Sequence, residues 1–222
     1  MAKARAITGL DPQAPTGKNA SIIARTRLDE MYEWKNAVDQ PYAVKELHNL
    51  RIAAKRLRYT LEIFEDYLPR ECKAVVKELE QIQEELGQLH DSDVLIALLR
   101  LCLGSQELQS PRTLQSPRAG SKKAIPSSRI QARIGYQWNS AKSSGNVQGK
   151  KPLLRPELVE VLLDPANAPG PEERYGLEQL MRRQEQIRVE QYRAFRQHWY
   201  RLQEQDFRQH VLDLLNKELV AV

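Results

Sequence analysis

The sequence predicts an all-α protein: an antiparallel helical bundle with a long C-terminal helix and a basic, poorly ordered insertion. Apolar residues recur in alternating steps of three and four over several long stretches, the spacing of a helix with one buried stripe. No run alternates apolar and polar residues for long enough to count as a strand. Ten glycines and 6% aromatics in 222 residues are too few for a large β-sandwich.

Residues 1–18 read as a flexible tail with three basic residues and no apolar stretch of signal-peptide type. A bundle segment, residues 19–104, follows. Its first helix is expected from about Ala20 to Val38, with Ala24, Leu28, Met31 and Val38 on one stripe and Pro41 as the stop. The second has the clearest pattern: Leu47, Leu50, Ala54, Leu57, Leu61, Phe64 and Leu68 are spaced 3-4-3-4-3-4, and Pro69 ends it. A third is expected to bury Cys72, Val75, Leu79, Ile82, Leu86 and Leu89 and to end near Gly87, which suits a left-handed C-cap. A fourth is expected to start at Asp91 or Ser92, both good N-cap residues, and to reach Leu103.

From Leu108 to Pro156 the chain holds ten Lys/Arg and no Asp/Glu, with Ser-Pro and Ser-Ser-Gly clusters that mark loops. Residues 105–155 are therefore expected to form a basic loop, partly disordered. Residues 156–219 complete the bundle: a short helix over Pro156–Leu163, a long one from Pro171 to about Glu204, and a last one over about Asp206–Leu219. Pro171 with Glu172 and Glu173 is a helix start, a proline in the first turn and acids near the positive end of the dipole. Leu180, Ile187 and Ala194 recur at seven along the long helix, and Tyr192, Phe195, Trp199 and Leu202 thicken the stripe toward its end.

The chain carries 34 Lys+Arg against 29 Asp+Glu, a net charge of +5. Since the insertion alone holds ten cations, the remainder is net acidic, and any basic surface there must come from local arrangement. Cys72 and Cys102 fall inside apolar helical patterns and read as buried reduced thiols, not as a disulfide framework. The most apolar run, Val94–Leu103, is too short for a bilayer and contains Arg100. A cytoplasmic compartment is expected, with no membrane partner. An organellar transit segment is the alternative, without an amphipathic Arg/Ser pattern behind it.

The informative segment runs from Glu46 to Tyr59. On a helix turning about 100° per residue, His48, Arg51, Lys55 and Arg58 fall within about 80° of one another, beside the apolar seam. Arg56 lies elsewhere on the helix. Glu62 sits four residues from Arg58; the other three find no carboxylate partner within the helix. Such a stripe suits a phosphate-rich anion: arginine offers a planar fork, lysine a movable charge, and histidine a donor that strengthens on protonation. Spacing leaves open a solvated face, or ion pairs to Glu78, Glu80, Glu84 and Glu85 on the third helix.

The second signal is Leu86-Gly87-Gln88-Leu89-His90-Asp91-Ser92-Asp93-Val94. It reads foremost as a helix cap and an ion pair to the basic helix. An adjacent His-Asp pair is also found in metal phosphohydrolases, but the other histidines, His48, His198 and His210, form no ligand-type pair. On the long C-terminal helix, Arg193, Arg196 and Arg201 have no acid between them and are candidates for a second wall of the same groove. Tyr192, Phe195, Trp199 and Tyr200 read as packing residues.

The string His48-x-x-Arg51-x-x-x-Lys55-Arg56-x-Arg58-Tyr59-x-x-Glu62, followed by Leu86-Gly87-x-x-His90-Asp91-x-Asp93-Val94, resembles the CHAD domain family (conserved histidine α-helical domain) over about Glu46–Leu99. The resemblance implies an all-α fold that binds inorganic polyphosphate along a basic groove, without catalysis, cofactor or metal. Carried over by position, His48, Arg51, Lys55, Arg56 and Arg58 would be the anion ligands. Tyr59, Glu62, His90, Asp91 and Asp93 would support them. Members of the family usually contain two related halves, and one clear copy is visible here, so this chain resembles a divergent single-half version. A second basic wall would come from the C-terminal helix or from a partner copy in a homodimer. The resemblance also implies residence in the cytoplasm, in association with polyphosphate granules.

Three other readings compete with polyphosphate binding. The same basic surface would attract RNA or other nucleic acid without sequence preference. His90-Asp91 could anchor a metal-dependent phosphohydrolase. The charges could also serve only to solubilise a helical scaffold.

Overall fold

The computed structural model describes residues 4–107 and 153–217, and every regular element among them is helical. Six α-helices follow one another: α1 (Thr16–Tyr32), α2 (Val44–Ile63), α3 (Cys72–Glu107), α4 (Pro156–Leu163), α5 (Pro171–Glu204) and α6 (Phe207–Asn216). Short 3-10 turns cover Lys35–Asp39, Glu65–Tyr67 and Pro165–Asn167. Most of the basic insertion expected at 105–155 lies outside the described residues. The chain divides into two compact units, residues 1–91 with 187–222, and residues 92–186. No helix among the described residues is long and apolar enough to cross a membrane.

The seams expected for the first unit are its core. Ala24, Leu28 and Met31 of α1, Leu47, Leu50, Ala54, Leu57 and Leu61 of α2, and Val75, Leu79, Ile82, Leu86 and Leu89 of α3 are all buried. Phe195, Trp199 and Leu202 of α5 and Phe207, Val211, Leu214 and Leu215 of α6 close the same cluster. The cross-contacts give the strand-free core its directions. His48, Arg51 and Arg58 of α2 meet His90, Gln83 and Glu80 of α3, so the two helices run antiparallel. Arg25 and Asp29 of α1 meet Asn216 and Arg208 of α6, which makes that pair antiparallel too.

Several element ends depart from the sequence expectation. The first helix stops at Tyr32, and Lys35–Asp39 tightens into a 3-10 turn. Side chains of α5 hold that turn and the chain just after it: the Tyr192 hydroxyl donates to the Val38 carbonyl at 2.6 Å, Arg188 to the Pro41 carbonyl at 2.5 Å, and Arg196 and Tyr200 to Asp39. α2 ends at Ile63, short of Leu68, which adopts an extended conformation (φ −123°, ψ 156°) before Pro69 and still reaches the core.

The break expected at Gly87, with a new start at Asp91 or Ser92, does not occur. α3 continues without interruption to Glu107, because its apolar stripe passes through Leu86 and Leu89 to Ile96, Ala97 and Leu101. A mid-helix glycine costs on the order of 1 kcal/mol against alanine, which packing along such a stripe readily offsets. On α5 the buried line runs through Arg188, Phe195, His198, Trp199 and Leu202. Of the expected stripe, Phe195, Trp199 and Leu202 take the core, while Leu180 and Ala194 are exposed and Ile187 is half-buried, because the buried line passes through Arg188 in place of Ile187.

The residues before α1 are bonded to it. Asp11 and Asn19 exchange two hydrogen bonds, at 2.7 and 3.1 Å, and Arg5 reaches Glu33 at 3.3 Å. Asp206 turns the chain from α5 into α6 with a positive φ of 50°, a conformation aspartate tolerates better than most residues. Cys72 is buried, and burial pushes its thiol up to about 11.

In the second unit, Ala97 and Leu101 of α3 pack with Leu154 and with Val159, Leu162 and Leu163 of α4. The Gln184 amide donates to the Ser92 hydroxyl at 2.7 Å, and Arg100 pairs with Glu185 at 2.8 Å.

Glu30 of α1 is a buried acid, 2% exposed, held by Arg27 at 2.8 Å and by Arg56 of α2. Removing it would leave two partly buried guanidinium groups without their anion. Glu30→Ala should therefore lower stability by about 2–3 kcal/mol, below the figure for a fully buried pair because both arginines keep some contact with water. Urea denaturation measures this, and a loss under 0.5 kcal/mol, the range of an ordinary surface change, would contradict it.

Candidate anion-binding site

The α2–α3 register sets out the predicted residues one by one. His48 stands over His90 of α3, ring centroids 4.8 Å apart. One turn on, the Arg51 guanidinium lies against Gly87, and its Nε–H donates to the Gln83 carbonyl at 3.3 Å. Lys55, exposed, comes next; its ammonium sits 5.2 Å from the centre of the Tyr59 ring. The Lys55 hydrogen bond to the Tyr59 hydroxyl, with a smaller one from Arg58, holds that phenol below its ordinary value. Among the described residues no carboxylate pairs with His48, Arg51 or Lys55.

Arg58 and Arg56 differ from these three. Arg58 is flanked by Glu62 at 3.5 Å and Glu80 at 3.2 Å, and its guanidinium covers the Tyr59 ring at 4.9 Å. The Glu62 contact is an ion pair without hydrogen-bond geometry, because the Arg58 Nε–H finds no acceptor. Arg56 points to the α1 side and is taken by Glu30. It belongs to the frame of the bundle and does not join the row.

His48, the ionisable member of the stripe, is not held as a cation. Burial, then the neighbouring His90 and Arg51, push its pKa down, and its Nδ1 is enclosed without a hydrogen-bond partner. A second proton there would be a buried donor with nothing to accept it, so near neutral pH His48 is an uncharged imidazole. The formal charge of the row rests on Arg51 and Lys55, with Arg58 partly neutralised at its end.

The supporting residues fall into three places. Tyr59 and Glu62 adjoin the cations as described. His90 contributes its ring to the His48 stack and has Asp91 beside it at 3.6 Å, while the Asp91 side chain is 87% exposed. Asp93 is buried in the second unit. Among the described residues no three His, Cys, Asp or Glu side chains converge as a metal cage would need.

Arg193, Arg196 and Arg201 are exposed on the face of α5 turned away from its buried line, around an open pocket of about 360 Å³ with Gln197, Tyr200 and Glu204. Arg196 is bound to Asp39 at 2.9 Å and lies over the Tyr200 ring. These arginines do not face the row. α5 meets α3 through Glu78 and Glu85, which lie across the apolar stripe of α3 from Gln83, Gly87 and His90.

His198 carries a site that sequence reasoning missed. It is buried, with Nδ1 2.8 Å from Glu85 and Nε2 3.1 Å from Glu78. Both acids were candidate partners for α2; only Glu80 takes that part. The Glu85 bond foremost, then that to Glu78, raises the His198 pKa against the opposing effect of burial. A histidine whose two nitrogens both face carboxylates is held as an imidazolium. The available signal was its place among Phe195, Trp199 and Leu202, where a polar ring must find buried partners.

The family model of the CHAD domain matches residues 2–100, a little under half of the chain. The resemblance seen on Glu46–Leu99 is thus borne out, and the match extends through α1 and the segment before it. No curated protein and no solved structure matches the chain.

A raised folded-state pKa makes the His198 contribution full below the unfolded value of about 6.5 and lost as pH rises through the raised value. His198→Gln should cost about 1–2 kcal/mol at acid pH, a moderate figure because Glu78 is partly exposed, and progressively less toward alkaline pH. Chemical denaturation of both proteins across pH 5–9 tests the difference; a cost independent of pH would contradict it.

Proposed function

We propose that the first unit binds inorganic polyphosphate, without catalysis, along the α2–α3 flank, with Arg51 and Lys55 as the charged ligands. The observation that carries this reading is selective neutralisation. Of the cations from Arg51 to Arg58 on α2, Arg56 and Arg58 are clasped by acids, while Arg51 and Lys55, about one turn apart, are left without any among the described residues. Two like charges held side by side on a rigid helix repel, and a repeating anion relieves that repulsion. The CHAD domain match supports the choice of polyphosphate, the polymer with which such domains are associated.

In this reading Arg51 presents its Nη groups to phosphoryl oxygens while Nε stays on the Gln83 carbonyl. Lys55 supplies a second point charge, His48 an uncharged donor, and Arg58 a further contact where the anion displaces Glu62 or Glu80. Arg193, Arg196 and Arg201 form a separate basic face that a longer chain or a partner copy would engage. A protein of this kind would collect where the polymer does, in granules.

Arg51→Ala with Lys55→Ala should abolish retention on a polyphosphate matrix at unchanged helicity, and Arg51→Lys alone should weaken it because the planar fork is lost. Arg56→Ala should reduce stability and leave retention in place. Affinity should fall about tenfold between about 50 and 200 mM salt, the drop for two or three cation–phosphate contacts. Short polyphosphate should displace RNA at equal charge concentration. Retention unchanged in the double variant, or RNA displacing polyphosphate, would contradict the reading.

A further inference from the structure

We propose that Gly87 of α3 is a positioning residue for anion binding: its missing side chain is the seat that aims Arg51. This rests on the polyphosphate reading and deepens it. A β-carbon built at Gly87 would lie 3.4 Å from the Arg51 Nε, 3.5 Å from Nη2 and 3.8 Å from Cζ. The Nε and Nη2 edge of the guanidinium therefore rests against the glycine, in van der Waals contact with the place a side chain would begin. The Arg51 Nε–H completes the seat by donating to the Gln83 carbonyl at 3.3 Å. That carbonyl is one turn before Gly87 and already accepts the helical Gly87 N–H. Its second lone pair serves the arginine.

The seat accounts for two observations that are otherwise unconnected. Gly87 is helical, so no positive φ or cap requires glycine there. Arg51, a long side chain with no carboxylate partner among the described residues, nevertheless has a defined anchor. Fixing Nε on a neutral carbonyl keeps the full positive charge available. It also restricts rotation of the guanidinium, so less entropy is lost when Nη groups meet a phosphoryl oxygen.

The chemistry of helical side chains sharpens the consequence. They lean toward the helix N-terminus, over the preceding turn. A γ-carbon at position 87 would lean toward the Gln83 carbonyl, into the volume of the Arg51 guanidinium. A methyl alone fits, because all three contacts are at ordinary van der Waals distance. Shape and helix propensity thus make opposite demands. Alanine is the better helix former and leaves the seat intact, and valine fills it.

Binding of inorganic polyphosphate by wild type, Gly87→Ala, Gly87→Val, Arg51→Ala and the Gly87→Val/Arg51→Ala double variant tests this, with circular dichroism as the check on folding. Gly87→Ala should bind within about twofold of wild type, and Gly87→Val should lose about tenfold, the loss expected of one charge-assisted contact. The double variant should bind no more weakly than Arg51→Ala, since the glycine acts only through that arginine. Should valine impair folding, Gly87→Ser, with a single γ atom, replaces it and should fall between alanine and Arg51→Ala. Gly87→Val or Gly87→Ser binding like wild type, or an equal further loss in the Arg51→Ala background, overturns the seat while leaving polyphosphate binding standing. Wild-type protein that does not bind polyphosphate overturns the parent reading and the role of Gly87 in it together.

Discussion

The antiparallel register of α2 on α3 is the constraint from which the candidate site follows. It is set by apolar side chains, Leu47, Leu50, Leu57 and Leu61 against Leu79, Ile82, Leu86 and Leu89, all buried. Leucine and isoleucine side chains interdigitate at close-packed density, so a slip of one residue would break the whole seam. Once that seam is closed, the residues bordering it have no choice of neighbour. His48 meets His90, Arg51 meets Gly87 and Gln83, and Arg58 meets Glu80. The polar row is a by-product of core packing in position, and a product of side-chain chemistry in charge.

Charge is distributed around that seam with a clear division of labour. Acids pair with cations around the bundle: buried Glu30 holds Arg27 and Arg56, and on the exposed surface Asp39 holds Arg196 and Asp29 holds Arg208. Glu78 and Glu85 are spent on His198, which converts a buried ring into a charged link between α3 and α5. The side of α3 facing Arg51 presents Gln83 and Gly87 in place of acids. The absence of a countercharge there is local. Glu80, two turns from Gly87, answers Arg58 as an ordinary surface pair would.

Much of the fold was legible because it rests on periodicity. The stripes of α1, α2 and α3 came out at the residues the spacing selects, and Pro156 and Pro171 open α4 and α5 as proline in a first turn should. Breaks were less legible. Gly87, with Asp91 and Ser92 shortly after, carries the local marks of a helix end, yet the glycine serves a neighbouring helix and the stripe runs on. The 3-10 turn at Lys35–Asp39 answers to Arg188, Tyr192, Arg196 and Tyr200, some 150 residues away, which no local rule anticipates. At the site, the angular sector of His48, Arg51, Lys55 and Arg58 was readable from the helix alone. Which of them stand as cations without a countercharge was not, because it depends on Glu80, His90 and Gly87 brought in from another helix.

The central claim is that Arg51 and Lys55 are the open cations of the α2–α3 row while Arg56 is closed by Glu30. Side-chain NMR of protein labelled with ¹⁵N at arginine and lysine, titrated with inorganic polyphosphate, addresses it most directly. The account predicts that the Arg51 Nε–H and Lys55 Nζ signals shift first and saturate together, with Arg56 unmoved. Shifts led by Arg56, or none at Arg51 and Lys55 while polyphosphate binds elsewhere, would contradict it.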